Sequence, residues 1–298
     1  MWNYIEGILC LALISVISVL GLTVFTGFTG MFSMGHAAFI AIGAYTASIL
    51  TSKAHANFYL ALALGGLMSG FVSLIIGYPT LRAKLQNDYF AIATLGFGEA
   101  VRVILENLKI TNGARGLVGI PARSTFLNIL LITVLLTIIT AHYVYSKYGR
   151  QSVAIREDHV AAEMMGINLF TVRLRALFFS AVMAGIGGGL YAHYVNFIQP
   201  SMFTSTQSTT LIAAVVAGGM GSITGPFVAM LIFSALPEIL RVADMWRLVA
   251  YGLILVLIMV LRPQGIFGYK ELNFKFVKRW IKKIRAKKPA LPAEGGDA

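Results

Sequence analysis

Apolar residues in this chain come in unbroken runs of about 20, parted by short polar loops, with no competing stretch of alternating apolar and polar positions. Each run can cross a hydrocarbon core of roughly 30 Å as a helix. The pattern predicts spans at about Ile8–Phe25, Phe58–Tyr78, Tyr89–Leu108, Phe126–Tyr145, Val172–Val195 and Leu248–Leu261. Pro79 is read as the stop of the second, since proline has no N–H to continue a helix. Within that span Gly66 and Gly70 form a small-xxx-small pair suited to close helix packing, and Val172–Val195 contains the run Gly187-Gly188-Gly189. Two further stretches are apolar but interrupted. Gly27–Leu50 contains Gly27, Gly30 and Gly35, and the segment Ser208–Leu240 has GGMGSITGP at its centre. Broken helix at membrane depth requires protein or a cavity to satisfy the freed backbone groups. The expected fold is an all-α polytopic membrane protein with about eight transmembrane helices and two Gly-broken or re-entrant segments. Its transmembrane domain covers residues 1–268, and residues 269–298 form a basic tail.

Composition agrees with this reading. Of 298 residues 57% are hydrophobic and 12% charged, where a soluble domain has about a quarter charged. The net charge of +12 follows the spans rather than forming a nucleic-acid patch. With the loop Tyr148–Ala176 inside, 17 of the 24 basic residues fall on that side and six on the other, with Arg102 in a span. That is the asymmetry expected of a cytoplasmic face. The N-terminus is outside if Gly27–Leu50 crosses and inside if it re-enters. MWNYIEG has no basic region, so the first span is expected to be retained. In the tail, Phe274, Val277, Trp280, Ile281 and Ile284 recur among lysines and arginines at helical spacing. That pattern predicts an amphipathic helix on the anionic inner leaflet, with a disordered end. The lone Cys10 excludes a disulfide framework or a cysteine metal cluster.

The segment Tyr148–Ala176 stands out because it gathers Arg150, Arg156, Glu157, Asp158, Glu163, Arg173 and Arg175 between two membrane-length apolar runs. It predicts a helix over about Val153–Met165, a stop at Gly166, and Asn168 as the N-cap of the next helix. No Walker loop and no H-E-x-x-H is present, and the five histidines are isolated in sequence. These absences argue against catalysis and against a cofactor in this chain. Glu99, Arg102 and Glu106 are spaced to share one helix face as an ion triad. Glu99 lies about 16 Å of helix rise from Asp88, near mid-membrane, where a charge must be paired or face water. The triad reads either as a pathway wall or as an internal ion pair. Ser33, His36, Ser222 and Thr224, in the broken segments, read either as pathway lining or as packing.

The segment AIREDHVAAEMMGINLFTVRLRA resembles the cytoplasmic coupling loop of ABC-importer permeases, and specifically the M-type permease of the branched-chain amino acid (Liv) importer family. GFTGMFSMGHAAFIAIGAY, YFAIATLGFGEAVRVI, TNGARGLVGIP, YAHYVNFIQPSMF, GGMGSITGP and RPQGIFG extend the likeness from Gly27 to Gly268. Ala161-Ala162-Glu163 with Gly166 departs from the permease motif as a loose version of it. The resemblance implies a permease subunit in a bacterial inner membrane, importing leucine, isoleucine and valine. Its implied partners are a second homologous permease, two ATPase subunits that bind the ATP, and an extracytoplasmic binding protein. It also implies a coupling loop over about 147–172, in which Val160 and Met164 anchor in an ATPase groove while Arg156, Glu157, Asp158 and Glu163 set register at its rim. Permeases for urea, amides or simple sugars share this architecture. A stand-alone secondary transporter or channel is the alternative from another class, and predicts uptake that needs no ATPase.

Overall fold

The computed structural model describes residues 2–85 and 87–239, together with Gly252 and Gly265. The predicted span Leu248–Leu261, the loop Arg241–Arg247 and the basic tail lie outside the described residues. The described chain folds as helices α1 (Trp2–Leu22), α2 (His36–Ser52), α3 (Phe58–Arg82), α4 (Asn87–Asn107), α5 (Phe126–Tyr145), α6 (Lys147–Glu157), α7 (His159–Met164), α8 (Leu169–Val195), α9 (Ser205–Gly218) and α10 (Thr224–Ile239). A π-helical turn, Thr23–Gly27, continues α1. Two-residue strands β1 (Leu117–Val118) and β2 (Phe197–Ile198) pair antiparallel and tie together two loops that the apolar pattern leaves featureless.

Among the described residues, four helical stretches are long and apolar enough to cross a membrane: Tyr4–Gly27, Phe58–Arg82, Phe126–Tyr145 and Leu169–Val195. His36–Ser52 and Thr224–Pro237 are apolar but shorter. The predicted span Tyr89–Leu108 appears as α4, whose second half carries the charged triad. Pro79 does not end α3, which runs one turn further to Arg82. Thr80 follows it with its hydroxyl on the Ile76 carbonyl (2.6 Å), so the turn around the proline keeps a local hydrogen bond.

The helices alternate in direction. At one end, here the loop end, lie the start of α8, the end of α3 with Tyr78 against Phe170, and the end of α5 with Tyr143 stacked on Phe179. At the far end Thr51 meets His193, Phe58 packs on His193, and Lys53 donates to the Ile110 carbonyl. Arg82 and Lys84 line a cleft with the charged segment Tyr148–Ala176, whereas Lys53 and Lys109 belong to the far end. Among the described residues, the loops that the basic residues group together therefore lie at one end of the bundle. Gly27 sits at the loop end and Ser52 at the far end, so Gly27–Ser52 traverses the bundle instead of turning back.

Helix α8 is the hub. A Cβ on Gly187 would meet Ser18 Oγ of α1 at 2.7 Å, one on Gly189 would meet Leu62 of α3 at 2.6 Å, and one on Gly188 would fall on the Ile40 carbonyl of α2. Three successive glycines thus admit three different neighbours. Gly66 and Gly70 of α3 meet α8 in the same way, at Ile186 and Val182, both 2.7 Å from an added Cβ. Such contacts replace the hydrophobic effect as the cohesive force where lipid is as apolar as leucine.

Candidate functional site

The charged segment is a hairpin of two helices rather than one. Helix α6 ends at Glu157, and Asp158 is extended (φ −152°, ψ 109°), so the predicted helix Val153–Met165 breaks there. The cause is local: Asp158 accepts hydrogen bonds from the backbone N–H groups of Val160 (2.8 Å) and Ala161 (3.0 Å), which starts α7 afresh. Gly166 stops α7 with φ +80°, a left-handed value that an L side chain rarely adopts. Its N–H donates to the Glu163 carbonyl and that of Ile167 to the Ala162 carbonyl, closing a Schellman motif. Asn168 caps α8 by accepting from the Thr171 N–H, as its position predicts. Ile155, Ala162 and Val172 form a small separate core that fastens the hairpin to the foot of α8. Outward, Val160, Met164 and Met165 are 59%, 84% and 82% exposed.

The two N–H donors, Ala161 foremost, hold the Asp158 carboxyl below the usual carboxylate range. A lowered pKa makes this cap present above the unfolded carboxylate pKa and lost as pH falls through the folded value. Asp158→Ala is accordingly expected to lower hydrogen-exchange protection across His159–Met164 at neutral pH. The wild type should approach the variant only below about pH 4. Equal protection of the two proteins at neutral pH would refute the cap.

Arg156 does not sit at the rim. It is turned inward, 15% exposed, and its Nη1 donates to the Gly27 carbonyl (2.8 Å) and the Met220 carbonyl (3.2 Å). Nη2 and Nε both reach Glu157 Oε1, at 2.7 and 3.2 Å. The two acceptor carbonyls are the frayed ends of the two Gly-broken segments, which touch each other here: a Cβ on Gly27 would lie 2.8 Å from the Met220 carbonyl. One guanidinium therefore joins the charged hairpin to both interruptions. Beside it a cleft of about 1090 Å³ opens between the hairpin, Gly30 and the α3–α4 loop.

The second node is at mid-height, where α2 begins. His36 is wholly buried, its Nε2 2.7 Å from Ser180 Oγ of α8. The Ala37 N–H donates to Ser208 of α9 (2.8 Å), and the Met34 N–H to Thr94 of α4 (3.1 Å). Two helices, α4 and α9, thus accept from the backbone N–H groups freed by the break, and a third, α8, meets the His36 side chain. His36 Nδ1 and Ser33 Oγ are buried with no hydrogen-bond partner. Ser222 is also buried, but it lies in the α9–α10 turn, with its Oγ accepting from the Gly225 N–H (3.2 Å). Thr224 opens α10. The six candidate pathway residues therefore do not converge. Ser33 and His36 lie at mid-height and Ser222 and Thr224 in the α9–α10 turn. Glu99 follows Gly98, which packs on Gly35. The triad forms as spaced, with Arg102 donating to Glu99 and Glu106 at 2.9 Å each, and its side chains are 29–40% exposed. Among the described residues, no three His, Cys, Asp or Glu side chains gather into a metal-holding group.

Comparison with known proteins gives consistent relatives. The family described as the branched-chain amino acid transport system permease component matches residues 4–261. The high-affinity branched-chain amino acid transport system permease protein LivM of Salmonella typhimurium is 33% identical over 277 residues, and that of Escherichia coli 34%. Each alignment covers 81% of this chain and 65% of the relative, so the chain spans just under two thirds of their length. A probable branched-chain amino acid transport permease protein LivM of Methanocaldococcus jannaschii is 24% identical over 255 residues, covering 76% of this chain and 73% of the relative. No solved structure matches.

Proposed function

From the premise that this chain belongs to the branched-chain amino acid transport permease family, we propose that it is a membrane-spanning subunit of an ATP-driven importer for leucine, isoleucine and valine in a bacterial inner membrane. About eight spans carry it, the loop end facing the cytoplasm. Two ATPase subunits bind the ATP and grip α7. A second, homologous permease completes the membrane path, and an extracytoplasmic protein delivers the substrate at the far end. The observation that carries this reading is the hairpin's two-sided construction. Bulky apolar side chains stand exposed on α7, while Arg156 behind them holds the backbone of both broken segments. A push on α7 is transmitted to Gly27 and Met220 through one rigid planar group. That is the linkage alternating access requires.

The mid-height node is then the section that opens and closes. His36, Ser180, Thr94 and Ser208 each come from a different helix, so relative movement of α2, α4, α8 and α9 exchanges hydrogen bonds without exposing charge. Glu99 and Arg102 line the outer half of the path in this reading, their exposed edges turned to water or to the second permease.

Replacing Val160 and Met164 with aspartate together tests the grip. The double variant is expected to reach the membrane in normal amount and to lose ATPase co-purification at least about tenfold, since charge in an apolar groove costs more than 1.4 kcal/mol. Undiminished co-purification would overturn the assignment of α7.

A further inference from the structure

We infer that the groove between α3, α5 and α8 at the loop end is a binding site for an anionic phospholipid. The phosphate is held between Lys147 and Arg175, with an acyl chain along the apolar wall above. Tyr148 carries both cations, with Lys147 Nζ and Arg175 Cζ each 5.3 Å from its ring centroid. A ring attracts one cation readily, but two positive charges around one ring repel each other. Among the described residues neither is within ion-pair distance of a carboxylate. Two exposed cations with no carboxylate paired to them among the described residues are completed by an external anion.

The groove supplies the rest of the match. It has a volume of about 520 Å³, and Leu74, Leu174, Phe178 and Phe179 form a wall that contains no acidic group. Tyr143, stacked on Phe179 at 4.6 Å and on Tyr148 at 6.5 Å, joins the wall to the charged end. Tyr78 and Tyr145 stand exposed at the same end, and Arg82 lies over the Tyr78 ring. This aromatic level is where headgroups sit. A basic pocket between helices on the cytoplasmic side is a recurring solution for holding acidic headgroups. The wall beyond it has the polarity of an acyl chain, and a free phosphate would leave that wall empty.

Native mass spectrometry of the full chain, extracted in mild detergent with added phosphatidylglycerol or phosphatidylcholine, tests the site. The wild type is expected to retain phosphatidylglycerol at least about tenfold more than phosphatidylcholine. The combined variant Lys147→Gln, Arg175→Gln should remove that preference, while Lys147→Arg with Arg175→Lys keeps it. Arg150→Gln, which deletes an exposed charge at the same end but outside the groove, should leave retention unchanged. Phe178→Ala should weaken retention with the charges intact. Equal retention by the charge-neutral double variant, or equal loss in Arg150→Gln, overturns the proposal. Displacement of the lipid by millimolar inorganic phosphate would also overturn it, since the wall would then contribute nothing. Transport is not the readout, so failure here leaves the importer reading untouched.

Discussion

Arg156→Ala is expected to lower substrate uptake at least about tenfold while the ATPase subunits still bind. The guanidinium donates to two backbone carbonyls that belong to different broken segments and lie 129 and 64 residues away in sequence. Hydrogen bonds to charged groups contribute about 1.5–3 kcal/mol each, and a buried acceptor left without a donor costs about 1–3 kcal/mol. Losing both contacts therefore costs more than the 1.4 kcal/mol that corresponds to a factor of ten. The exposed apolar residues of α7 are untouched by the change, so under the proposed function docking is expected to persist while movement is no longer passed inward. ATP hydrolysis should then continue without matching uptake in reconstituted vesicles. Arg156→Lys is expected to recover only part of the coupling, because an ammonium keeps the charge but not the planar fork. Coupled uptake at the wild-type level in Arg156→Ala would sink the proposed linkage.

The largest effect on stability is expected from Gly188→Ala. Its Cβ would fall on the Ile40 carbonyl, a backbone atom that no rotamer can move aside. Helices α2 and α8 would have to separate, and α2 begins at the mid-height node, so the hydrogen bonds of His36 and Ala37 are strained with it. Overpacking of this kind costs about 1–3 kcal/mol, and more where backbone blocks relaxation. Gly96→Ala is the matched control, since an added Cβ there meets nothing within 4 Å. Thermal unfolding followed by size-exclusion in detergent should show the first variant several degrees less stable and the second unchanged. A Gly188→Ala protein as stable as wild type would show that the packing is looser than drawn.

Apolar runs made the helices legible because a membrane span must be apolar over its length. Phe126–Tyr145 was predicted at both ends as observed, and the two glycine-broken segments were located from their glycines alone. The triad of Glu99, Arg102 and Glu106 followed from helical spacing. Errors came where a side chain acts on nearby backbone. Asp158 breaks the hairpin helix by capping, although Asp within an otherwise helical stretch reads as surface charge. Pro79 reads as a terminator, yet α3 continues past it for a turn. Of the nodes, only His36 and Arg156 are legible as candidates, and not their partners. Thr94, Ser180 and Ser208 are ordinary polar residues within apolar runs, and only the assembled bundle shows that they serve the start of α2. Arg156 was visible as a charge, but its inward direction depends on carbonyls in two distant segments.

That distance has a consequence for biogenesis. When α1 and α2 are made, the Gly27 carbonyl lacks its guanidinium donor, because that arginine is 129 residues further along the chain. The second acceptor, Met220, emerges 64 residues after that arginine. The three-way contact at the loop end can therefore be complete only after the α9–α10 turn has been made, so the linkage through Arg156 is among the last parts of the described fold to close.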